Sequence, residues 1–436
     1  MAKSDPALKS RKRSVWFIVC VALLLRLFVI TFGQTYRITP RGDHFQFGWE
    51  VGRIARSIAN GEGFSSPTDL STGPTAWMAP GYTCLLAGVF RLFGVYSPAS
   101  SWVILALNSL FAALTCWTIY QIGCLVFDEP VGRGAAWTWA LFPYLIYYPV
   151  RVVYDTSLSA FLLSLALLTT LHLANRPAAR LGMGFGLLWG VMILINPSLL
   201  TMMVCCLLWL MWRNGAKRMT GAATLSILMA ILVVSPWIVR NYRVFGRFIF
   251  VRDNLPMELA MGNNDKSEGF WTREEHPAND REEMQKFQQA GEVRYMAERG
   301  AEFRQFVREN PERFAYFSLK RALYFWIGPP QAAIVNGYDF NISRHMNFFL
   351  GAAFAFAGLW LAFRRRKPEA YLFACFLLVY PLPYFLVTPY PRYKHLIEPE
   401  MLLLIVYVLW EARRIEVRWP IPFLVSKKGA DFSAPN

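Results

Sequence analysis

The amino-acid sequence predicts an all-α polytopic membrane protein with about ten transmembrane helices. Hydrophobic side chains make up 55% of the 436 residues and aromatic side chains 16%, which is more apolar surface than one soluble core can bury. This surface comes in long uncharged runs that approach the roughly 20 residues needed to cross a hydrocarbon core. Because the runs are continuous and do not alternate between polar and apolar residues, they predict helices rather than barrel strands.

Basic residues outnumber acidic residues, 45 to 29, and give a formal net charge of +16. They are spread in short clusters between the apolar runs, so they do not indicate the single basic patch that binds nucleic acid. We interpret most of them as topology signals, because cytoplasmic loops carry an excess of Lys and Arg. The seven cysteines lie in or beside apolar segments without metal-ligand spacing, and they predict neither a disulfide framework nor a zinc site.

The membrane spans follow from the apolar runs, and their orientation follows from the basic clusters. The first run, Val15 to Phe32, follows the basic segment Lys9 to Arg13, is too long for a signal peptide and lacks a cleavage site. It predicts an anchor with a cytoplasmic N-terminus. Basic clusters at 176–180, 213–218 and 364–367 predict cytoplasmic loops, and the tail from Arg413 predicts a cytoplasmic C-terminus. The predicted spans are 15–33, 100–126, 134–150, 156–174, 181–196, 198–212, 219–237, 343–363, 369–388 and 396–412.

The first outer loop, residues 34–99, is predicted to carry two juxtamembrane helices. The apolar stretch from Tyr82 to Phe93 is too short to span the membrane and begins after Pro80-Gly81. Before it, apolar residues from Phe47 to Ile58 recur at helical spacing, with Glu50, Arg53 and Arg56 on other faces. This pattern predicts an amphipathic helix on the outer surface.

The longest polar stretch defines the predicted organisation of the chain. We expect an N-terminal transmembrane module at 1–240, an extracytoplasmic loop region at 241–342 and C-terminal transmembrane helices with a tail at 343–436. Within the loop region, residues 281–310 are predicted to be helical. Residues 311–326 mix aromatic and basic side chains and predict another surface-lying helix.

Four polar groups are predicted to meet at the outer face. They are Asp43 with His44; Arg151, Tyr154 and Asp155; Arg240 and Asn241 with Asn263 and Asn264; and Arg392, Tyr393, Lys394 and His395. Each group alone also fits a structural role, as a solvated loop acid, a helix cap or an anchor at the headgroup level. The last group is the exception to the bias that places basic residues inside, and such an exception is expected where phosphate is bound.

The grouping on one face predicts transfer of a group from a lipid phosphate. A carboxylate is a general base toward an acceptor hydroxyl, and arginine and lysine stabilise the charge that develops on the departing phosphate. A divalent metal ion held by Asp43 or Asp155 is a further possibility. The alternative class is a transporter or lipid-linked-sugar flippase, which usually sets ionisable residues near the bilayer midplane, whereas these spans contain almost no acids. A non-catalytic assembly factor with the same fold is the third alternative.

The chain resembles the bacterial members of the GT-C glycosyltransferase superfamily, in the dolichyl-phosphate-mannose-protein mannosyltransferase-like group that includes aminoarabinose transferases. Most specific is Pro236 to Gly246, which reads Pro-Trp-Ile-Val-Arg-Asn-Tyr-Arg-Val-Phe-Gly, followed by Gly262-Asn263-Asn264. The looser matches are Asp43 with Phe47 to Gly63, Ala79-Pro80-Gly81-Tyr82, Phe142-Pro143 ahead of Asp155, and Arg392-Tyr393 before the final span.

The resemblance implies an enzyme that takes a sugar from a polyprenyl-phosphate donor and passes it, with inversion, to an extracytoplasmic acceptor. It implies that Asp43 is the catalytic carboxylate, that Asp155, beside Arg151 and Tyr154, is a second acid that binds a metal or the acceptor, and that Arg392 meets the donor phosphate. Tyr393, Lys394, His395 and Arg240 are the further candidates for the phosphate, and His44, Asn241, Asn263 and Asn264 for the substrate pocket. The implied location is a bacterial inner membrane.

The chain also departs from the relatives that it resembles. Aminoarabinose transferases carry an acidic and a basic residue before the second juxtamembrane helix, where this chain has Trp77-Met78-Ala79. Oligosaccharyltransferases have a large C-terminal soluble domain with a WWD-type motif, whereas the last predicted span here is followed by a short tail. The sugar stays open, and so does the acceptor, which is a glycan, a lipid or a protein.

Overall fold

The structure is a computed structural model, and it describes residues 6–38, 45–271, 275–328 and 342–413. Within these residues it contains 18 α-helices and one isolated antiparallel bridge between Ser65 and Pro74. The predicted all-helical architecture is therefore confirmed for the described residues. In chain order the helices are α1 (Pro6–Phe32), α2 (Glu50–Ala59), α3 (Pro80–Phe93), α4 (Pro98–Val126), α5 (Glu129–Leu141), α6 (Pro143–Arg151), α7 (Thr156–Asn175), α8 (Ala179–Ile195), α9 (Leu200–Asn214), α10 (Ala216–Phe245), α11 (Leu255–Met261), α12 (Arg281–Ala290), α13 (Glu292–Glu309), α14 (Pro311–Ile327), α15 (Ile342–Arg364), α16 (Ala370–Ala374), α17 (Pro391–His395) and α18 (Glu398–Ala412).

Five helices of the described residues are long and apolar enough to cross a membrane, which confirms a multi-pass membrane protein. They contain the stretches Val15–Phe32, Pro98–Val126, Thr156–Asn175, Ala216–Phe245 and His345–Arg364. Two shorter apolar helical stretches, Ala179–Ile195 and Ala370–Phe385, coincide with further predicted spans. The full set of about ten spans stays a prediction.

The predicted span 134–150 is wrong in one respect, because the structure divides it into α5 and α6 at Pro143. Proline has no N–H, so the carbonyl of Trp139, four residues earlier, has no helical donor. Arg26 of α1, which is fully buried, supplies the missing donors. Its Nη2 donates to Trp139 O at 2.9 Å and its Nη1 to Ala140 O at 3.0 Å. The helix break is thus satisfied inside the bundle, where unpaired carbonyls are costly.

Two hydrophobic clusters organise the interior. The larger one lies among the long helices of the bundle and includes Trp139, Trp189 and Leu403, each fully buried. The smaller one lies beneath the first outer loop and includes Trp77 and Phe287. The outer loops are therefore packed onto the ends of the bundle helices, which is where the predicted site residues are found.

The two helices predicted in the first outer loop are confirmed as α2 and α3, but α2 is not surface-exposed on its polar side. Val51 and Ile54 are buried as expected. Glu50 and Arg53, predicted on the other faces of this surface helix, are also buried, with 8% and 4% of their surface exposed. His276 lies 3.2 Å from Glu50, and Asp69 lies 2.6 Å from Arg53. The prediction for these two residues is wrong because later loops cover the helix.

The helices predicted after residue 281 are confirmed as α12, α13 and α14. Arg321 of α14 is fully buried and holds this region against the loop before α17. Its guanidinium donates to the carbonyl of Gly269 at 2.6 Å and to the carbonyl of Leu386 at 2.9 Å. Arg321 thereby joins the loop region to the segment that precedes α17.

Candidate functional site

The site lies where the loop before α7 meets α17. Asp43 and His44, the first predicted group, lie outside the described residues. Tyr154 and Asp155 immediately precede α7, and Asp155 occupies its N-cap position without a capping hydrogen bond from its side chain. Arg151, at the end of α6, is exposed and makes no hydrogen bond or ion pair with a described residue.

Arg392 of α17 is brought against the second predicted group. Its guanidinium carbon lies 4.2 Å from the ring centroid of Tyr154, 4.8 Å from that of Tyr390 and 5.3 Å from that of Tyr393. No carboxylate of the described residues is within ion-pair distance of it. Arginine keeps its charge at all physiological pH values, and an aromatic face holds such a cation without neutralising it. The arrangement leaves one positive charge for an anionic ligand.

Asp155 is the carboxylate of the second predicted group, and the charge of Arg392 acts on it. Its Oδ2 accepts hydrogen bonds from Ser159 Oγ at 2.7 Å and from Asn196 Nδ2 at 3.3 Å. Burial raises the pKa of Asp155 above its ordinary value. The hydroxyl of Ser159 and the positive charges of Arg392 and Arg252 oppose that rise. Asp155 therefore experiences the field of two arginines without forming an ion pair with either.

A second acidic cluster beside Arg392 was not predicted from the sequence. The backbone N–H of Ala278 donates to His276 Nδ1 at 3.1 Å, so Nε2 carries the ring proton and donates to Glu50. Burial raises the pKa of Glu258 in α11, while the positive charges of Arg252 and Arg392 oppose that rise. These acids and bases lie more than 100 residues from Arg392 in the chain. Glu50 falls within the Phe47 to Gly63 match, and Glu258 lies four residues before Gly262.

Lys394 and His395 point into the bundle. Lys394 is 3% exposed, donates from Nζ to Phe348 O at 3.2 Å and lies over the Phe348 ring. Burial lowers its pKa to about 8. His395 is fully buried, and its Nδ1 lies 2.6 Å from Glu398 Oε2. Its ring stacks on Trp139. The structure thus gives both residues partners other than those of Arg392.

Arg240 and Asn241 hold the first outer loop against the end of α10. Arg240 donates from Nη1 to Thr75 O at 2.7 Å and from Nη2 to Phe64 O at 3.0 Å. Its guanidinium also lies 4.9 Å from the Trp237 ring centroid. Asn241 is fully buried and donates to the carbonyl of Ile249 at 3.2 Å. These contacts use the guanidinium and the amide to satisfy the backbone.

Asn263 and Asn264 also satisfy the backbone and line a cavity of about 240 Å³. Asn263 donates to Leu259 O at 2.7 Å, and Asn264 donates to Glu275 Oε1 at 2.9 Å. The cavity is also lined by Asp265, Glu302 and Glu309. Its acidic lining contrasts with the arginine-rich surroundings of Asp155.

The described residues contain no ligand set for the divalent metal ion that the sequence analysis considered. In those ranges no three side chains of His, Cys, Asp or Glu come together as metal ligands. Asp155 is surrounded by hydrogen-bond donors and arginines. These groups do not suit a divalent cation. Asp43, the other candidate, lies outside the described residues.

Part of the chain matches a known family of membrane glycosyltransferases. Residues 78–239 match the model of the dolichyl-phosphate-mannose-protein mannosyltransferase family. The family resemblance inferred from the sequence is confirmed. The matched stretch contains the loop with Tyr154 and Asp155 and the start of the Pro236-Trp237 motif, whereas Asp43 and Arg392 lie outside it.

Solved structures show the same fold. An archaeal oligosaccharyltransferase, AglB from Archaeoglobus fulgidus, bound to an inhibitory peptide and a dolichol-phosphate, matches with a TM-score of 0.53 and 16% identity, over 93% of this chain and 52% of that chain. The Archaeoglobus fulgidus oligosaccharyltransferase tethered to an acceptor peptide with an NVT sequon matches with a TM-score of 0.54 and 13% identity, over 92% and 50%. Its apo form gives 0.56 and 13%, over 91% and 51%.

These likenesses show a GT-C-like fold, and at such identity they show the fold alone. The chain spans about half the length of the solved oligosaccharyltransferases that it matches, 50% to 52%. No curated protein sequence matches it significantly.

Proposed function

We propose that this protein is a membrane glycosyltransferase that transfers a sugar from a polyprenyl-phosphate donor to a hydroxyl group of an extracytoplasmic acceptor, with inversion. The observation that carries the proposal is Arg392, a guanidinium held on three tyrosine rings without a carboxylate partner among the described residues. A phosphate on a lipid is the anion that such a membrane-face arginine suits, because its oxygens accept two N–H bonds at once.

The reaction needs a base, a leaving group and an approach from the opposite side of the sugar. In the proposed step the acceptor oxygen attacks the anomeric carbon while the bond from that carbon to the phosphate oxygen breaks. The acceptor proton passes to a carboxylate, for which Asp43 is the candidate. The electron pair leaves with the phosphate, and Arg392 stabilises the charge that it gains. Attack from the face opposite the phosphate inverts the anomeric configuration.

Asp155 and Tyr154 have a separate part in this proposal. Tyr154 supports the guanidinium of Arg392 through its ring. Asp155 lies in the field of Arg392 and Arg252, and the part proposed for it is to accept a hydrogen bond from the acceptor or the sugar. Arg240, Asn241, Lys394 and His395 are not given a direct part, because their polar groups have structural partners.

The test is turnover of a panel of radiolabelled polyprenyl-phosphate sugars by the purified protein in nanodiscs. We expect release or transfer of sugar from at least one donor by the wild type and a loss of at least 100-fold in Asp43→Asn and Arg392→Gln. Arg308→Gln is the matched control, because Arg308 of α13 is an exposed arginine without an ion pair among the described residues. Equal turnover by Asp43→Asn removes that residue from the chemistry, and no turnover across the panel favours transport.

A further inference from the structure

A line of hydrogen bonds runs from Tyr384 to Asp155 and has a defined direction. The Ser198 hydroxyl lies 2.6 Å from Asn196 Oδ1, and the Ser198 backbone N–H also donates to that oxygen, at 3.3 Å. An amide oxygen only accepts, so the Ser198 hydroxyl hydrogen is committed to Asn196. The hydroxyl of Tyr384, 2.8 Å from Ser198 Oγ, is then the donor of that pair.

The hydrogen bonds to Asn196 also fix the orientation of its side-chain amide toward Asp155. Because Oδ1 of Asn196 is occupied by donors, Nδ2 faces the carboxylate and donates to Asp155 Oδ2 at 3.3 Å. Ser159 donates to the same oxygen at 2.7 Å. Among the described residues, no donor reaches Oδ1 of Asp155. Every donation therefore runs toward one carboxylate oxygen, and the other is left for a ligand.

The far end of the line contacts the segment that carries Arg392. The ring of Tyr384, which is 6% exposed, stacks on Tyr393 with centroids 4.3 Å apart and planes 21° apart. Tyr380 donates to the carbonyl of Tyr393 at 2.7 Å. The hydrogen-bonded line and the guanidinium of Arg392 therefore both contact Tyr393.

We propose that Tyr384, Ser198 and Asn196 are positioning residues that hold Asp155 with one oxygen toward the ligand of Arg392 and support its ionised form. Hydrogen bonds that all point toward a carboxylate favour its negative charge and polarise one another. The proposal deepens the proposed function and rests on it. The other titratable groups that face Asp155 are Arg392, Arg252, Tyr82, Tyr154 and Tyr380.

The experiment measures the affinity of polyprenyl phosphate without a sugar for the protein in nanodiscs between pH 5 and pH 8. Ionised Asp155 competes with the phosphate for the field of Arg392, so weakening its support is expected to tighten binding. Ser198→Val and Ser198→Thr form a matched pair of nearly equal shape, of which only threonine keeps the hydroxyl. We expect Ser198→Val to bind polyprenyl phosphate about threefold more tightly than Ser198→Thr at the pH where the two differ most. A threefold change in affinity equals about half a pKa unit. Ser198→Thr is expected to bind polyprenyl phosphate with the same affinity as the wild type.

A double-mutant cycle separates positioning from packing. In the Asp155→Asn background the difference in affinity between Ser198→Val and Ser198→Thr is expected to vanish, because the hydroxyl of residue 198 acts through Asp155. Tyr384→Phe is expected to behave like Ser198→Val, while Tyr407→Phe in α18, another buried tyrosine, leaves the affinity unchanged. The proposal is overturned if Ser198→Val binds polyprenyl phosphate more weakly than Ser198→Thr. It is also overturned if the two variants still differ in the Asp155→Asn background. A wild type that does not bind polyprenyl phosphate at any pH overturns the proposed function and this inference together.

Discussion

Arg392, which is half-buried, differs from the buried arginines of the described residues in what surrounds it. Arg26 and Arg321 donate to backbone carbonyls, and Arg53 pairs with Asp69. Arg392 has aromatic rings on its faces, and its Nε is buried without an acceptor. A buried donor without a partner costs free energy, so a ligand that supplies the acceptor gains affinity from this site.

Substitution of Arg392 tests that use. Arg392→Gln is expected to raise the KM for the polyprenyl-phosphate donor about 100-fold, since a charge-assisted hydrogen bond contributes roughly 1.5–3 kcal/mol and the site offers more than one. Arg392→Lys keeps the charge but loses the planar fork, and we expect an intermediate loss of about tenfold. Steady-state kinetics with the donor selected from the panel measure both. An unchanged KM in Arg392→Gln, with Arg308→Gln as the reference, would show that the phosphate is bound elsewhere.

The sequence predicted Tyr154, Asp155 and Arg392 as neighbours because each directly adjoins a predicted span on the same side. It could not predict Arg252, Glu258 or the pair of Glu50 and His276, because loop residues come together through packing that leaves no periodic signal. Arg240 and Asn263 show the converse. A polar residue in a specific motif can be required to pair with a backbone carbonyl, and the sequence alone does not separate that use from ligand binding.

At the scale of single helices, the break between α5 and α6 links two distant predictions. The first span contains an arginine, and the third contains a proline, and the sequence shows no reason to connect them. In the structure each explains the other, because Arg26 replaces the donor that Pro143 lacks. Hydropathy locates a span but does not detect such a break, since proline changes the hydrogen bonds and leaves the apolar pattern intact.

Arg26→Met tests this pairing. The substitution leaves the carbonyls of Trp139 and Ala140 without their donors in an apolar surrounding, and we expect it to lower the free energy of unfolding by about 2–4 kcal/mol. Thermal unfolding in detergent measures the change. Pro143→Ala restores an N–H near Trp139 and is expected to recover part of the loss when it is combined with Arg26→Met. A double variant that is no more stable than Arg26→Met would contradict this account of the break.

A buried acid pair fixes the first outer loop to α13. Glu292 accepts from Thr75 Oγ1 and from the backbone N–H of Ala76, both at 2.5 Å. The carboxyl of Asp253 lies close enough for its charge to act on Glu292, and neither of its buried oxygens has a hydrogen-bond partner among the described residues. Burial, together with the charge of Asp253, raises the pKa of Glu292 to about 8, and burial raises the pKa of Asp253 to about 6. One of the two carboxyls therefore holds a proton near neutral pH.

The sign of the resulting pH dependence follows from proton linkage. An unfolded glutamate loses its proton near pH 4.5, whereas folded Glu292 keeps it to about pH 8. Stability contributed by the pair is therefore complete below the unfolded value and is lost as the pH rises toward 8. Arg240 and Arg247 also face the pair and lessen this loss.

We expect limited proteolysis of residues 64–76 to become faster between pH 5 and pH 8 in the wild type. Glu292→Gln keeps the shape and the acceptor for Ala76 but cannot ionise, so it is expected to flatten that dependence. The rates are read by mass spectrometry of the released fragments at each pH. If Glu292→Gln keeps the slope of the wild type, the pair does not control the docking of the loop.

At the scale of the whole molecule, the fold could be predicted because a membrane protein is constrained at every span. Long apolar runs and basic loops suffice to indicate a polytopic helical bundle. The GT-C-like arrangement was implied by the resemblance carried by Pro236 to Gly246 and Gly262-Asn263-Asn264. The likeness to the archaeal oligosaccharyltransferases covers more than 90% of this chain, although they share only 13% to 16% of its residues. Sugar and acceptor are not fixed at this scale, since they depend on loop side chains that differ between proteins of one fold.

The sidedness of the bundle decides whether the site faces the donor, and it can be measured directly. The basic loop at 213–218 predicts a cytoplasmic position for Lys217, and the same topology places Gln288 of α12 outside; both side chains are exposed. In a variant without native cysteines, Gln288→Cys is expected to react with a membrane-impermeant maleimide in intact spheroplasts. Lys217→Cys is expected to react only after permeabilisation. The opposite pattern would place Arg392 on the cytoplasmic side, where an extracytoplasmic acceptor cannot reach it, and it would exclude the proposed transfer.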